Sequence, residues 1–179
     1  MADVNGKQIV YSAPLIKIAT AAAAKTRPSD TTAYAVGDVI NESTSAGTGW
    51  VFADVVRTPG GTGTIKRVYI NDSAYVATNL SAELFLFSAV IGVDNDNATF
   101  TPTDAEMETL LAVIPVSTAR PGDITAGATG NSLIESAAVD IPFKCAAGVS
   151  TLYGVLVAKN AYVPVSAEIF TIRVIIQQD

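Results

Sequence analysis

The segment Ile169-Phe170-Thr171-Ile172-Arg173-Val174-Ile175-Ile176-Gln177 carries the clearest structural pattern in the chain. Every second residue, at Phe170, Ile172, Val174 and Ile176, is apolar. Side chains alternate between the two faces of a β-strand, so these four residues share one face. The segment therefore predicts a strand that turns a continuous apolar face towards the core.

Eight other short segments share this composition and are rich in Val, Ile, Thr, Phe and Tyr, which suit a pleated, half-buried surface. We expect a strand in each. They are Leu15–Ala22, Val36–Asn41, Trp50–Arg57, Thr64–Asn71, Ala82–Ser88, Ala112–Ser117, Ile134–Cys145 and Leu152–Lys159. The residues between them are mostly Gly, Pro, Asn, Asp and Ser, as is typical of turns. Two of these turns, Thr58–Gly63 and Ala146–Ser150, are expected to close hairpins.

Alternation within Thr64–Asn71 predicts which of its side chains face the core. Val68 and Ile70 fall on one face, and Ile65 falls on the other face together with Tyr69. We therefore expect Ile65 and Val68 to point to opposite sides of the sheet.

One segment has helical character. Thr103 and Glu106 have the spacing of a capping box, in which each side chain bonds the other residue's backbone N–H. Met107, Leu110 and Leu111 then follow at helical spacing. We expect a helix of about two turns between two strands.

The fold class predicted from these elements is all-β. A chain of 179 residues suits one domain, and eight or nine strands with a brief helix favour a two-sheet antiparallel β-sandwich of jelly-roll type. Residues 31–179 are expected to form this domain. Residues 1–30 differ in composition, and three interpretations stay open for them: an N-terminal arm that packs on a neighbouring subunit, a frayed tail, or an edge strand of the sheet.

The charge of the chain excludes some classes of partner. The net charge is −6, and the 11 Lys and Arg residues are scattered, whereas nucleic-acid binding requires a clustered basic surface. The apolar run at Ala19–Ala24 is far shorter than the roughly 20 residues of a membrane span. The N-terminus lacks the pattern of a signal peptide, so we expect synthesis in a cytoplasm without export.

The scarcity of charge also suggests that partners cover part of the surface. Charged residues make up 16% of the chain, against about 25% in an average soluble domain. This favours an obligate oligomer or an assembly component. The single cysteine, Cys145, has no partner for an internal disulfide, and we expect it to be a buried apolar residue.

Residues for catalysis are few. The chain has no histidine, which removes the usual general base of a nucleophilic triad. The glycines Gly60, Gly61 and Gly63 lack the Lys-Ser/Thr pair of a phosphate-binding loop. Carboxylates such as Glu106 and Glu108 show no spacing that would bring them together. We therefore expect no catalytic residues, no cofactor and no enzymatic activity.

A polar loop, Asp94-Asn95-Asp96-Asn97, offers the one candidate for a metal site. Asp94 and Asp96 have the alternate spacing of a calcium-binding loop. However, Ala98 stands where a third oxygen ligand is expected, and Ala105 stands at the twelfth position instead of Glu. A solvated turn is the favoured interpretation, with calcium as the alternative.

Aromatic residues give two further expectations. In Phe85-Leu86-Phe87 both faces of a strand are apolar, so the outer side needs a cover from the N-terminal arm, the helix or another subunit. A carbohydrate-binding module would instead need exposed aromatic rings, for which Trp50, Tyr75 and Tyr162 are the candidates.

Six segments of the chain together resemble a known group of proteins. They are Tyr34–Asn41, Trp50–Ala53, Arg57–Ile65, Leu84–Phe87, Asn95–Asn97 and Leu152–Ala158. In this order they resemble small virion proteins of tailed bacteriophages, described as minor structural or head-decoration proteins. The resemblance covers roughly residues 30–177, and it consists of turn and strand patterns without a catalytic signature.

The resemblance implies a jelly-roll decoration (cement) protein. Such a protein is expected to form a homo-oligomer, typically a trimer, on the exterior of the virion, where it binds the major capsid protein and braces neighbouring subunits. It implies neither nucleic-acid nor membrane binding. A carbohydrate-binding head-fibre or adhesion module is the alternative function, since jelly rolls also carry lectin sites.

Overall fold

A computed structural model describes residues 15–74, 80–118 and 131–179. Within these ranges the regular structure is β apart from one helical turn. The elements are β1 (Leu15–Thr20), β2 (Lys25–Thr26), β3 (Val39–Ile40), β4 (Trp50–Phe52), β5 (Thr62–Asp72), β6 (Ser81–Phe87), α1 (Asp104–Met107), β7 (Leu110–Thr118), β8 (Ser132–Glu135), β9 (Ile141–Lys144), β10 (Leu152–Ala158) and β11 (Ile169–Gln178).

The described strands form one open sheet in the order β1-β11-β5-β8-β7-β6-β10-β3, with β2 beside β11, β9 beside β5 and β4 beside β10. The strand pairings given by the structure are antiparallel. The sheet is continuous because β8 bonds β5 along one side and β7 along the other. The all-β, antiparallel class is confirmed, and the two-sheet jelly roll stays a prediction.

One face of the sheet supplies the core. Phe170, Ile172, Val174 and Ile176 of β11 are buried, as their alternation predicts. A single cluster of packed side chains includes Ala19 at one end of the sheet and Ile40 at the other. The sheet must therefore curve until both ends enclose the same core. Cys145 is also buried in this cluster.

A β-bulge in β5 corrects the expected facing of Ile65. Along β11, Ile175 pairs with Arg67 and Ile176 pairs with Ile65, so Lys66 has no partner across the strand. The extra residue shifts the alternation, and Ile65 and Val68 both face the core.

The segment expected as one strand over Ile134–Cys145 is two strands, β8 and β9. The outer edge of β5 pairs with β9 on one side of the bulge, from Thr62 to Ile65, and with β8 on the other, from Tyr69 to Asp72. Residues 136–140 cross between the two pairings. The prediction of one continuous strand is therefore wrong.

A loop of the same chain covers the second apolar face of β6. Phe87 packs with Val39, Val155 and Val157 in a small outer cluster, and Ile91, Val93 and Phe100 from the loop between β6 and α1 lie against it. The expected cover was the N-terminal arm, the helix or another subunit. Because this loop supplies it, the apolar outer face of β6 is no argument for an oligomer.

Helix α1 is shorter than expected. The capping box of Thr103 and Glu106 is present, but the helix ends at Met107. Leu110 begins β7, where it pairs with Phe87. Tertiary pairing with β6 outweighs the helical spacing of the two leucines.

The two expected hairpins are wrong. β4, which precedes the turn at Thr58–Gly63, pairs with β10, whereas β5 after it pairs with β11, β8 and β9. Likewise the turn at Ala146–Ser150 leads from β9 beside β5 to β10 beside β6. Both turns are crossings between distant parts of the sheet, and they touch each other where Gly60 N donates to Val149 O at 2.7 Å.

Residues 15–26 form strands at the edge of the sheet. β1 pairs with β11 from Leu15↔Gln178 to Thr20↔Arg173, and β2 pairs with the start of β11. Residues 1–14 lie outside the described residues. None of the helices in the described ranges is long and apolar enough to span a membrane.

Prediction: replacing Ile172 with Ala should lower the free energy of unfolding by about 2–5 kcal/mol, because the side chain is fully buried and its loss leaves a cavity. The matched control is Ile175→Ala on the outer face of the same strand, which should cost clearly less. Urea unfolding followed by tryptophan fluorescence measures both. Equal losses would show that the two faces are not distinguished as described.

Candidate functional site: a buried polar network and an uncovered apolar edge

A buried ion pair joins two parts of the chain that are distant in sequence. Arg27 follows β2, and Asp96 lies in the loop between β6 and α1. Arg27 Nη2 donates to Asp96 Oδ2 at 3.1 Å, and the two side chains are 0% and 1% exposed. Either charge without the other would be strongly unfavourable in this position. The pair therefore fastens the covering loop of β6 to the segment after β2.

The remaining acceptor of Asp96 is also satisfied. Its Oδ1 accepts from the Tyr34 hydroxyl at 2.5 Å and from Asn41 N at 3.0 Å. Arg27 Nε in turn donates to the Tyr34 hydroxyl oxygen. Burial, followed by the hydrogen bond to Asp96, raises the pKa of Tyr34 above its ordinary range. The tyrosine therefore stays protonated and serves as a donor.

A second buried cluster holds the loop that precedes β11. The Tyr162 hydroxyl donates to Glu168 Oε1, and Val165 N donates to Glu168 Oε2 at 3.1 Å. These bonds close residues 162–168 into a tight loop, in which Ala167 adopts a positive φ of 56°. Burial, together with the carboxyls of Asp72 and Glu168, raises the pKa of Tyr162.

Asp72, the last residue of β5, lies against Glu168. Its Oδ1 accepts from Ala74 N at 2.8 Å, and its Oδ2 accepts from Ser132 Oγ at 2.9 Å. Burial, then the hydrogen bond and charge of Glu168, raises the pKa of Asp72 to about 8. Two buried carboxylates in contact cannot both ionise cheaply, so the pair holds a proton near neutral pH.

The two clusters are one network because Tyr34 and Tyr162 stack. Their ring centroids are 6.4 Å apart with an interplanar angle of 20°. Tyr34 N donates to Tyr162 O at 2.9 Å, and Tyr162 N donates to Tyr34 O at 3.3 Å. The network thus ties the segment after β2, the covering loop of β6, the end of β5 and the loop before β11.

This network holds loops in fixed positions and has almost no contact with solvent through which it could act on a substrate. Its six side chains are each at most 5% exposed. Groups buried in this way hold loops in place and retain a proton, but they do not meet a dissolved substrate. They are Arg27, Tyr34, Asp72, Asp96, Tyr162 and Glu168.

The two calcium candidates do not converge. Asp96 is committed to Arg27 and Tyr34, whereas Asp94 accepts from Thr101 N at 2.7 Å. The expected solvated turn does not describe Asp96, which is buried. No group of three acidic, Cys or His side chains suited to a metal ion occurs within residues 15–74, 80–118 and 131–179.

The aromatic candidates for carbohydrate binding are not surface platforms. Trp50 and Tyr162 are 2% and 1% exposed, and Lys25 Nζ lies 5.3 Å from the centre of the Trp50 ring. The exposure that a carbohydrate-binding module would need is therefore absent at these two rings. Tyr75 lies outside the described residues.

Sequence patterns do not single out Arg27, Tyr34 and Asp72. One local signal was available for Asp72: it follows Val68 and Ile70 at alternate positions, which places its carboxyl on the core side of β5. No local signal predicts that Arg27 pairs with Asp96, because the two residues are separated by 69 positions and meet only in the folded chain.

A second feature with functional potential lies on the surface. Leu15, Ile16 and Ile18 of β1 are 52%, 55% and 58% exposed. Among the described backbone groups, those of β1 bond only to β11, so its other edge has no partner strand within the described part of the chain. An uncovered apolar edge strand is a ready site for strand addition.

Comparison with known proteins adds no identification. No family model and no curated protein matches this chain.

Prediction: replacing Asp96 with Asn should destabilise the protein by about 3 kcal/mol, because Arg27 is then buried without its carboxylate. The value is at the low end for a broken buried pair, since Asp30 remains 3.6 Å from Arg27. Asp94→Asn, in the same loop, is the control and should have little effect. Urea unfolding measures both, and a similar loss in the two variants would contradict the role given to Asp96.

Prediction: the melting temperature should fall as the pH rises from about 6 to 8 and should level off above that. Folded Asp72 keeps its proton up to a pKa of about 8, whereas the unfolded chain releases it near the ordinary value of 3.8. Between these two pKa values the native state binds more protons than the unfolded chain, so the stability that Asp72 contributes is fully present below 3.8 and is lost as the pH rises through about 8.

Two variants isolate this effect in calorimetric melting curves. Asp72→Asn cannot ionise and should flatten the decline between pH 6 and 8. Asp140→Asn removes an exposed carboxylate and should keep the slope of the natural protein. An unchanged slope in Asp72→Asn would rule out the buried pair as its source.

Proposed function

We propose that this protein is a virion structural protein that decorates and stabilises the capsid of a tailed bacteriophage. In this function it bridges neighbouring copies of the major capsid protein as a homo-oligomer on the outside of the particle. The observation that carries the proposal is the free edge strand β1 with its three exposed apolar side chains. Such a surface suits a protein that is covered by partners when it functions.

The order of the strands supports the jelly-roll part of the proposal. The main strands fall into two sets of four if β8 and β9 are counted as one strand and β3 and β4 as another. In order across the sheet, the sets are β1-β11-β5-β8/β9 and β3/β4-β10-β6-β7. This is the order in which the eight strands of a jelly roll pair. The two sets are joined at Ser117↔Glu135 and Thr118↔Ile134. A jelly roll is frequent in capsid and lectin domains.

The buried network suits a mechanical role. A brace must hold its contact points in fixed positions, because any loosening of loops lets the bridged subunits separate. Arg27, Asp96, Tyr34 and Tyr162 join loops from both ends of the chain through buried bonds. The proposed protein is therefore a stiff spacer, and the network supplies that stiffness.

Stabilisation of a capsid follows from mass action. A protein that binds the assembled shell better than free subunits shifts the equilibrium towards the closed shell. A homo-oligomer contacts several shell subunits at once, so each further contact forms at a high effective concentration. A trimer is the state implied by the resemblance to decoration proteins.

A carbohydrate-binding module is the second candidate, and one observation favours it. A cavity of about 180 Å³ lies beside Trp50, with Lys25 and Thr48 in its wall. Among the described residues, Trp50 Nε1 is the buried side-chain donor that has no hydrogen-bond partner. A small hydroxylated ligand would supply an acceptor.

Prediction: adding the purified protein to capsids depleted of it should raise the temperature at which they release DNA. An unrelated acidic protein at equal concentration is the control. Cosedimentation with the capsids measures binding independently of heat tolerance. No binding and no change in release temperature would overturn the proposal, and specific hits on a glycan array would then favour the second candidate.

A further inference from the structure

The outer edge of β1 is weakly guarded. Natural sheets protect an open edge with proline, a bulge, inward charges or a covering element. β1 has neither proline nor a bulge, and its one guard of this kind is Lys17, whose charge lies on the core side opposite Ile176. The outward residues Ile16 and Ile18 are more than half exposed. This edge therefore calls for a partner strand.

The outer face beside the edge is apolar as well. Ile18 pairs with Ile175, and the two line a hollow of about 220 Å³ together with Tyr69, Leu133 and Arg173. The hollow has room for one or two side chains. A strand added at β1 would thus find backbone partners along the edge and an apolar seat next to it.

The chain itself contains a segment that suits this site. Residues 1–14 lead directly into β1, and Gln8–Ser12 has the sequence QIVYS, which is typical of a strand. Ile9 and Tyr11 alternate and would share one face. Fourteen residues span up to about 45 Å when extended, which is enough to reach an adjacent copy.

The sequence before β1 favours a neighbour over the chain's own edge. To pair with its own β1, the segment would need a tight hairpin turn between Tyr11 and Leu15. Such turns require Gly, Asn or Asp at positive φ, and residues 11–14 contain none of them.

We propose that residues 1–14 of each copy add as a strand to the free β1 edge of the next copy, with Ile9 and Tyr11 packed against Ile16, Ile18 and the adjoining hollow. The contact is head-to-tail, and it gives a closed ring when the rotation that relates successive copies closes. The proposal rests on the oligomeric brace proposed above and identifies the surface through which its copies associate.

Disulfide trapping in the full chain tests the proposal. Neighbouring strands bring Cα atoms within the range that a disulfide spans, so Ile9→Cys/Ile18→Cys and Tyr11→Cys/Ile18→Cys are made as double variants. The natural Cys145 is buried and does not compete. Mild oxidation should give a ladder of covalent dimers and larger oligomers on a non-reducing gel, and each single variant should give no ladder.

Two results of the trapping experiment would overturn the proposal. A covalent monomer without a ladder would show that the segment packs on its own chain. No cross-link in either double variant would show that residues 9 and 11 do not lie beside Ile18.

Light scattering on charged variants provides a second test. Ile18→Asp should reduce the mass from oligomer to monomer, because it places a carboxylate in the apolar seat. Val90→Asp is the matched control: Val90 is 72% exposed on the covering loop, and its replacement should leave the oligomer intact. Retention of the oligomer in Ile18→Asp would contradict the proposal.

The two proposals fail in different ways. If the natural protein binds capsids and forms oligomers that do not cross-link through residues 9 and 11, only the strand exchange is wrong. If it is a monomer that does not bind capsids, the capsid function is wrong as well.

Discussion

The need to remove one apolar sheet face from water shapes this molecule. The described strands form one continuous sheet, and it buries that face by curving until its two ends share one core. Ala19 near one edge and Ile40 at the other belong to the same packed cluster. The bulge at Lys66 serves this curvature, because a bulge bends a strand and turns both Ile65 and Val68 inward.

Curving the sheet brings loops together and buries some of their polar side chains. These side chains must then find hydrogen-bond or ion-pair partners within the protein. The Arg27–Asp96 pair and the Asp72–Glu168 pair meet this requirement in different ways. The first neutralises charge with charge, and the second retains a proton. The stacked tyrosines between them supply the donors. The loops are consequently fixed by directed bonds, which a purely apolar contact would not provide.

The surface contrasts with this closed interior. The covering loop of β6 buries the apolar outer side of that strand, but β1 keeps an apolar face and an open edge. The apolar surface of β6 is therefore covered within one molecule, whereas that of β1 is left exposed. The proposed assembly through the β1 edge rests on this asymmetry.

The sequence by itself determined the all-β class, the apolar face of β11 and the capping box at Thr103, because each depends on neighbours a few residues apart. It did not determine the bulge at Lys66, the crossing of the two expected hairpins, or the meeting of Arg27 with Asp96. Those features arise from pairing between residues that are far apart in the chain. Turn residues mark where a strand ends, and only the packed core decides which strand lies beside it.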